Sequence, residues 1–212
     1  MPEKTLRGSA SLMLPWMRSA WATMKWAPFP ILTMNAGSFL SKKQVQEEVL
    51  RRVRVRPGDV CYIPAGCVHA IGAGITLYEI QQSSDITYRF YDWDRTDAQG
   101  RRRELHLDKA LDVTDLTLEP QPVRAAMRPG AERVLDKRYF TLDVIRTEGR
   151  EALPPLGEFG MLTALEGAVT LAWEGGEMAL ERGETCFLPR ECPALWLTGN
   201  GTAALSMPAS PV

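Results

Sequence analysis

The sequence predicts a mostly β protein made of two lobes built alike. Three observations carry that expectation. The segment Gly58-Asp59-Val60-Cys61-Tyr62-Ile63-Pro64 aligns without gaps on Gly183-Glu184-Thr185-Cys186-Phe187-Leu188-Pro189, an internal repeat. From Tyr139 onward, short runs of β-forming residues are separated by Gly167, Gly175-Gly176 and Gly183. The chain also holds 15 Pro and 17 Gly, which suits a turn-rich sandwich or barrel.

With 212 residues the chain has room for one large domain or two small ones, and 45% apolar residues are enough for ordinary cores. A formal net charge of -1 draws it neither to nucleic acid nor to an acidic membrane surface, so recognition must rest on local groups. Cys61 and Cys67 are six residues apart, as are Cys186 and Cys192, which is wider than zinc-finger spacing. Reduced, buried thiols are the expectation for all four.

In chain order, residues 1–40 are left unassigned. Trp16, Trp21 and Trp26 recur every five residues, a period of neither helix nor strand. The apolar run from Gly8 to Met17 follows Lys4 and Arg7 like a weak signal peptide, but Pro15 and Arg18 interrupt it, and it is too short to span a bilayer. The segment is expected to be either a divergent start or the mis-assigned beginning of a longer reading frame. Ser41 to Arg52 reads as a short helix capped by Ser41. Arg52 to Arg56 then alternates Arg and Val with period two, the pattern of a strand with one solvated face. Pro57-Gly58-Asp59 is a turn, Val60 to Ile63 is extended, and Pro64-Ala65-Gly66 bends the chain three residues before His69. After Gly72 and Gly74, Ile75 to Gln82 forms a strand with Glu79 and Gln81 on one face. Arg101-Arg102-Arg103 reads as a solvated loop, and His106 as a satisfied polar residue. Leu116 to Arg128, with Pro120 and Pro122, reads as a linker. The expected organisation is a partial first lobe over 41–115, a linker over 116–138 and a second lobe over 139–212. Ala194 stands where the repeat would place the counterpart of His69, so the second lobe is expected to be structural.

The spacing Gly58, Pro64, Gly66, His69 resembles the second signature of the cupin barrels. The longer stretches GDVCYIPAGCVHAIGAG, YEIQQSSDITYRFYDWDR and ELHLDKALDV resemble the type I mannose-6-phosphate isomerases in their short bacterial form. The likeness is close from Val53 to Val113, weaker from Tyr139 to Pro208, and absent from residues 1–40. It implies two cupin-like (jelly-roll) lobes, the first incomplete and preceded by a short helical segment. It also implies a cytoplasmic enzyme with a sugar phosphate substrate and no nucleic-acid or membrane partner.

The implied reaction interconverts mannose 6-phosphate and fructose 6-phosphate by zinc-assisted proton transfer between C1 and C2. It needs a base, a cation for the enediolate and an anion site. By position, His69 resembles the family's zinc-ligating histidine and Arg89 its active-site arginine. Glu79, ten residues before Arg89 and in phase with it, reads either as a base or orienting carboxylate or as a salt-bridge partner of Arg89. These three residues are expected to share one concavity. Arg95 and Lys109 are weaker phosphate candidates and read more readily as surface charges. The family's other ligands, another histidine and a glutamate among them, precede the Pro-Gly-Asp turn, yet residues 1–57 contain no histidine. One Zn2+ is implied, with only His69 to hold it securely. The chain alone is therefore expected to turn over weakly; the alternative is an inactive cupin fragment or a sugar-phosphate-binding protein.

Overall fold

A computed structural model describes residues 11–15, 22–26, 50–72, 74–82, 86–93 and 95–209, the first two segments as backbone only. The described residues are mostly strand, as the glycine and proline punctuation predicts, with one helix among them. The chain divides into two compact units, Met1–Pro122 and Val123–Val212.

In the first unit, β1 (Ser11–Pro15), β4 (Asp59–Ile63) and β6 (Leu77–Gln81) pair antiparallel, with β1 between the other two. β2 (Ala22–Trp26) lies likewise between β3 (Arg51–Val55) and β5 (His69–Ile71). Two central strands thus come from the segment left unassigned by sequence. Each is five residues long and lacks clean alternation, so no periodicity announces it. Residues 41–49 of the expected helix lie outside the described residues, and Arg51 and Arg52 open β3. Along β3 the arginines are exposed while Val55 is fully buried, as the alternation requires. Val55, Cys61, Ile63 and Cys67 form the first unit's cluster, flanked by Val53, Ile75, Leu77 and Leu118. α1 (Leu107–Val113) buries Ala110.

The second unit holds the short β7 (Val123–Arg124) and a larger antiparallel sheet. The sheet runs in the order β11 (Gly176–Leu180), β10 (Gly160–Trp173), β13 (Leu195–Pro208), β9 (Phe140–Ala152), β8 (Gly130–Asp136), and β12 (Thr185–Leu188) also pairs with β10. Leu162, Leu171, Leu197 and Leu205 are central to its core. The two expected strands Met161 to Leu165 and Val169 to Trp173 are one strand here. Gly167 is not a turn but part of an irregularity, where the register against β13 shifts between Ala164 and Glu166. Its φ is 72°, and a Cβ there would run into the Asn200 carbonyl.

The repeat is visible as matched turns. Gly58 and Gly183 have φ of 84° and 91°, and each precedes the acidic residue that enters the next strand. No helix among the described residues is long and apolar enough to cross a membrane.

Candidate functional site

The bend after β4 is built from its sequence. The amide of Cys67 donates to the Pro64 carbonyl at 3.2 Å, closing the turn through Gly66. Gly66 has φ 86°, and a Cβ on it would meet the Val113 carbonyl at 2.8 Å. Asp115 also donates its amide to the Gly66 carbonyl at 3.0 Å, so the segment after α1 braces the bend. The bend delivers His69 to the start of β5, where its side chain is exposed.

His69 Nδ1 lies 2.9 Å from the Cys67 carbonyl oxygen. A carbonyl only accepts, so Nδ1 carries a proton and donates; in the neutral ring that leaves the lone pair on Nε2. That is the tautomer a metal-binding histidine uses, with the backbone as orienting partner.

Register relates His69 to Glu79. Met13 pairs with both Glu79 and Cys61, and residues paired directly across strands share a face, so Glu79 lies on the Cys61 face of its sheet. Trp26 pairs with both His69 and Arg51, and Arg51 shares its face of β3 with Val53 and Val55. Val53, Val55 and Cys61 all belong to one cluster. His69 and Glu79 thus occupy the cluster-bearing sides of their two sheets, both exposed beyond it.

Arg89 is on neither sheet. It stands half-buried on the loop after β6, and its carbonyl accepts the His106 amide at 2.9 Å. Among the described residues no ion pair joins Glu79 to Arg89, so the salt-bridge reading of Glu79 is not what the structure has. No group of three His, Cys, Asp or Glu placed to hold a metal occurs among the described residues. The described residues therefore offer a zinc ion His69 as a candidate ligand and, among themselves, not the usual three.

The other residues singled out by sequence sit as follows. Arg95 is paired with Asp92 at 2.6 Å, and Lys109 is exposed on α1. His106 is less well satisfied than expected: Nδ1 is buried without a hydrogen-bond partner among the described residues, Nε2 is 3.7 Å from Glu104, and Tyr88 leans on the ring at 5.9 Å. Arg103 is not simply solvated, since its guanidinium grips Asp92 with Nε to Oδ2 at 2.7 Å and Nη2 to Oδ1 at 2.8 Å. Sequence reasoning missed Asp92, because an acid and a base eleven residues apart in irregular chain carry no period. All four cysteines are free thiols, and burial pushes Cys61 up to about 12 and Cys67 up to about 11, the nearby carboxylates of Asp59 and Asp115 adding to the effect. In the second unit, a shallow cavity of about 450 Å³ lies by Arg150, Trp173 and Trp196.

Repeated turns, antiparallel sheets and a histidine presented at a glycine bend define a cupin-type β protein. A family profile described as the cupin domain of mannose-6-phosphate isomerase matches residues 132–208. The profile, the curated relatives and the solved structures together support a type I mannose-6-phosphate isomerase of partial length with a cupin fold. It is 35% identical over 147 residues to mannose-6-phosphate isomerase ManA of Bacillus subtilis (strain 168), covering 68% of this chain and 47% of that protein. It is 34% identical over 159 residues to the mannose-6-phosphate isomerase of Streptococcus mutans serotype c, covering 73% of this chain and 50% of that one. Among solved structures, the mannose 6-phosphate isomerase of Bacillus subtilis superposes with a TM-score of 0.71 at 25% identity, over 94% of this chain and 64% of that one. The chain spans about half the length of the curated relatives it matches.

Proposed function

We propose that the first unit carries a site for mannose 6-phosphate and its ketose isomer, fructose 6-phosphate, and that its chemistry is aldose–ketose isomerisation. The observation that carries this reading is the His69 tautomer, with Nδ1 held by Cys67 and Nε2 left open on the cluster-bearing side that Glu79 also occupies. The relatives' names as mannose-6-phosphate isomerases support the substrate.

The reaction moves one proton from C2 to C1 and one from the C2 hydroxyl to the C1 oxygen. Glu79 as base takes the proton from C2 of the open-chain aldose, the C2–H electron pair forms the C1–C2 double bond, and the carbonyl electrons go to the C1 oxygen, giving an enediolate. Glu79 then gives that proton to C1 while the C2 hydroxyl proton passes to the C1 oxygen and the C2 oxygen becomes the carbonyl, so nothing is gained or lost overall. Arg89 is permanently charged and has no carboxylate partner among the described residues, so its guanidinium is available for the enediolate oxygen or the phosphate. A zinc ion, which the family implies, polarises the sugar carbonyl when bound. His69 would supply it one ligand.

A second reading has its own support. Residues 1–57 contain no histidine, and His69 is joined by no cluster of three ligand-type residues among those described. Sugar-phosphate binding then outlasts turnover, because a poorly held metal fixes neither itself nor its substrate oxygen. Four free thiols suit a reducing compartment, consistent with a cytoplasmic protein. The experiment is to measure zinc content, mannose 6-phosphate binding and turnover on one preparation. Saturable binding with weak turnover is expected. Failure to bind mannose 6-phosphate would overturn the proposal.

A further inference from the structure

We infer that Asp92 is a positioning residue for Arg89, holding the loop that presents it; the inference rests on the reading of Arg89 as the group that meets the sugar phosphate.

Among its described residues the loop has no strand ladder to fix it. Between β6 and α1 the described residues hold one isolated bridge, Thr96 to Arg102. Order comes instead from a series of ties. The His106 amide donates to the Arg89 carbonyl at the base, and Asp92 joins Arg103 above it. At the tip, Asp97 accepts the Arg101 amide and Nε, each at 2.9 Å. The ties 89–106, 92–103, 96–102 and 97–101 close the loop upon itself, and Arg89 is its first member.

Asp92 is the strongest tie. It is 6% exposed, whereas both guanidiniums that hold it are half-exposed or more. Arg103 takes both its oxygens as a fork and Arg95 adds a third bond at 2.6 Å. Such charge-assisted, two-pronged pairs fix geometry as well as adding energy. Three bonds to cations leave the carboxylate no role as a base or a substrate contact. The next residue shows how firmly the chain is held. Trp93 has φ 51°, a backbone conformation a bulky side chain rarely adopts unless its surroundings impose it. Its ring is nearly half-exposed, with the Arg95 guanidinium 5.8 Å from the centroid. The clamp at Asp92 stands three positions after Arg89, so its loss frees the segment that aims the guanidinium.

The test has two arms on the full chain. In the first, hydrogen exchange of the His106 amide reads the Arg89 tie without any ligand. Asp92→Asn is expected to speed that exchange about tenfold or more while amides of Ala203 to Leu205 in β13 keep their rates. Unchanged His106 exchange would overturn the inference. In the second, mannose 6-phosphate affinity is measured in a double-mutant cycle. Asp92→Asn is expected to weaken binding about tenfold in the native background and not further in Arg89→Ala. Equal losses in both backgrounds mean a general structural role and overturn the inference. If Arg89→Ala binds as the native chain does, or the native chain does not bind, the proposed function fails and the exchange arm alone decides the positioning. Should Asp92→Asn not fold, Arg103→Lys, which keeps the charge and loses the fork, gives both readouts.

Discussion

The carboxylate of Asp59 accepts a 2.7 Å hydrogen bond from the backbone amide of Arg56, while the Asp59 amide donates back to the Arg56 carbonyl at 3.0 Å. The same reciprocal pair recurs in the second unit, where Glu184 accepts the Glu181 amide at 2.8 Å and donates to its carbonyl at 2.9 Å. One turn design thus opens β4 and β12, each time with a left-handed glycine between the partners. Asp59 is buried and Glu184 exposed. Asp59→Ala should therefore cost about 1–2 kcal/mol and Glu184→Ala less than about half of that, as read from urea unfolding midpoints.

Gly66 is predicted to be intolerant of a side chain. Its φ of 86° and the Val113 carbonyl 2.8 Å from a Cβ act together. Gly66→Ala should lose more than about 2 kcal/mol and disturb the bend that carries His69. Thermal unfolding of the variant checks the first effect, and the His69 ring resonances check the second.

The repeat, the strand-rich character and the bend before His69 were legible because turns carry local chemistry: Gly58, Pro64 and Gly66 mean the same thing in any context. β1 and β2 were not legible, since a five-residue strand owes its identity to the neighbours it pairs with rather than to its own pattern. Gly167 misled for a related reason. A glycine ends a strand in one setting and permits close backbone approach in another, and only the presence of Asn200 distinguishes them. His69 was singled out by its motif, and the structure puts it at the end of the bend that the motif predicts. The Asp92–Arg103 clamp could not, because it joins irregular chain across eleven residues.

In the second unit, Asp143 is 3% exposed and is held by the Arg133 fork at 2.8 and 3.0 Å. Arg133→Ala leaves a buried carboxylate unpaired and should cost about 3–5 kcal/mol. Replacing both residues with Ala should recover part of that loss, which a double-mutant cycle on unfolding free energies will show.

The Asp92 clamp predicts a pH dependence. Burial pushes the Asp92 carboxyl up, but hydrogen bonds from Arg103 and Arg95, with their charges, outweigh it and hold the group below its usual 3.8. A carboxyl lowered on folding adds stability above its unfolded value and loses it as pH falls through the lowered folded value. Asp92→Asn should therefore be less stable than the native chain from pH 5 to 7 and converge with it in stronger acid. Urea midpoints at three pH values test this; a gap that persists undiminished in acid would count against the clamp.

Turnover is predicted to be weak. His69→Ala should lower zinc retention while leaving most of the affinity for mannose 6-phosphate, because the proposed site assigns the anion to Arg89 and not to the metal. Stoichiometric zinc together with rapid isomerisation that His69→Ala abolishes would mean that residues 1–57 complete the ligand set.

The most direct measurement is a calorimetric titration of mannose 6-phosphate into the native chain and into Arg89→Ala. A first-unit sugar-phosphate site built around His69, Glu79 and Arg89 predicts saturable binding in the native chain, weakened about tenfold or more by the substitution. No binding by the native chain, or equal affinity in the two proteins, would contradict it.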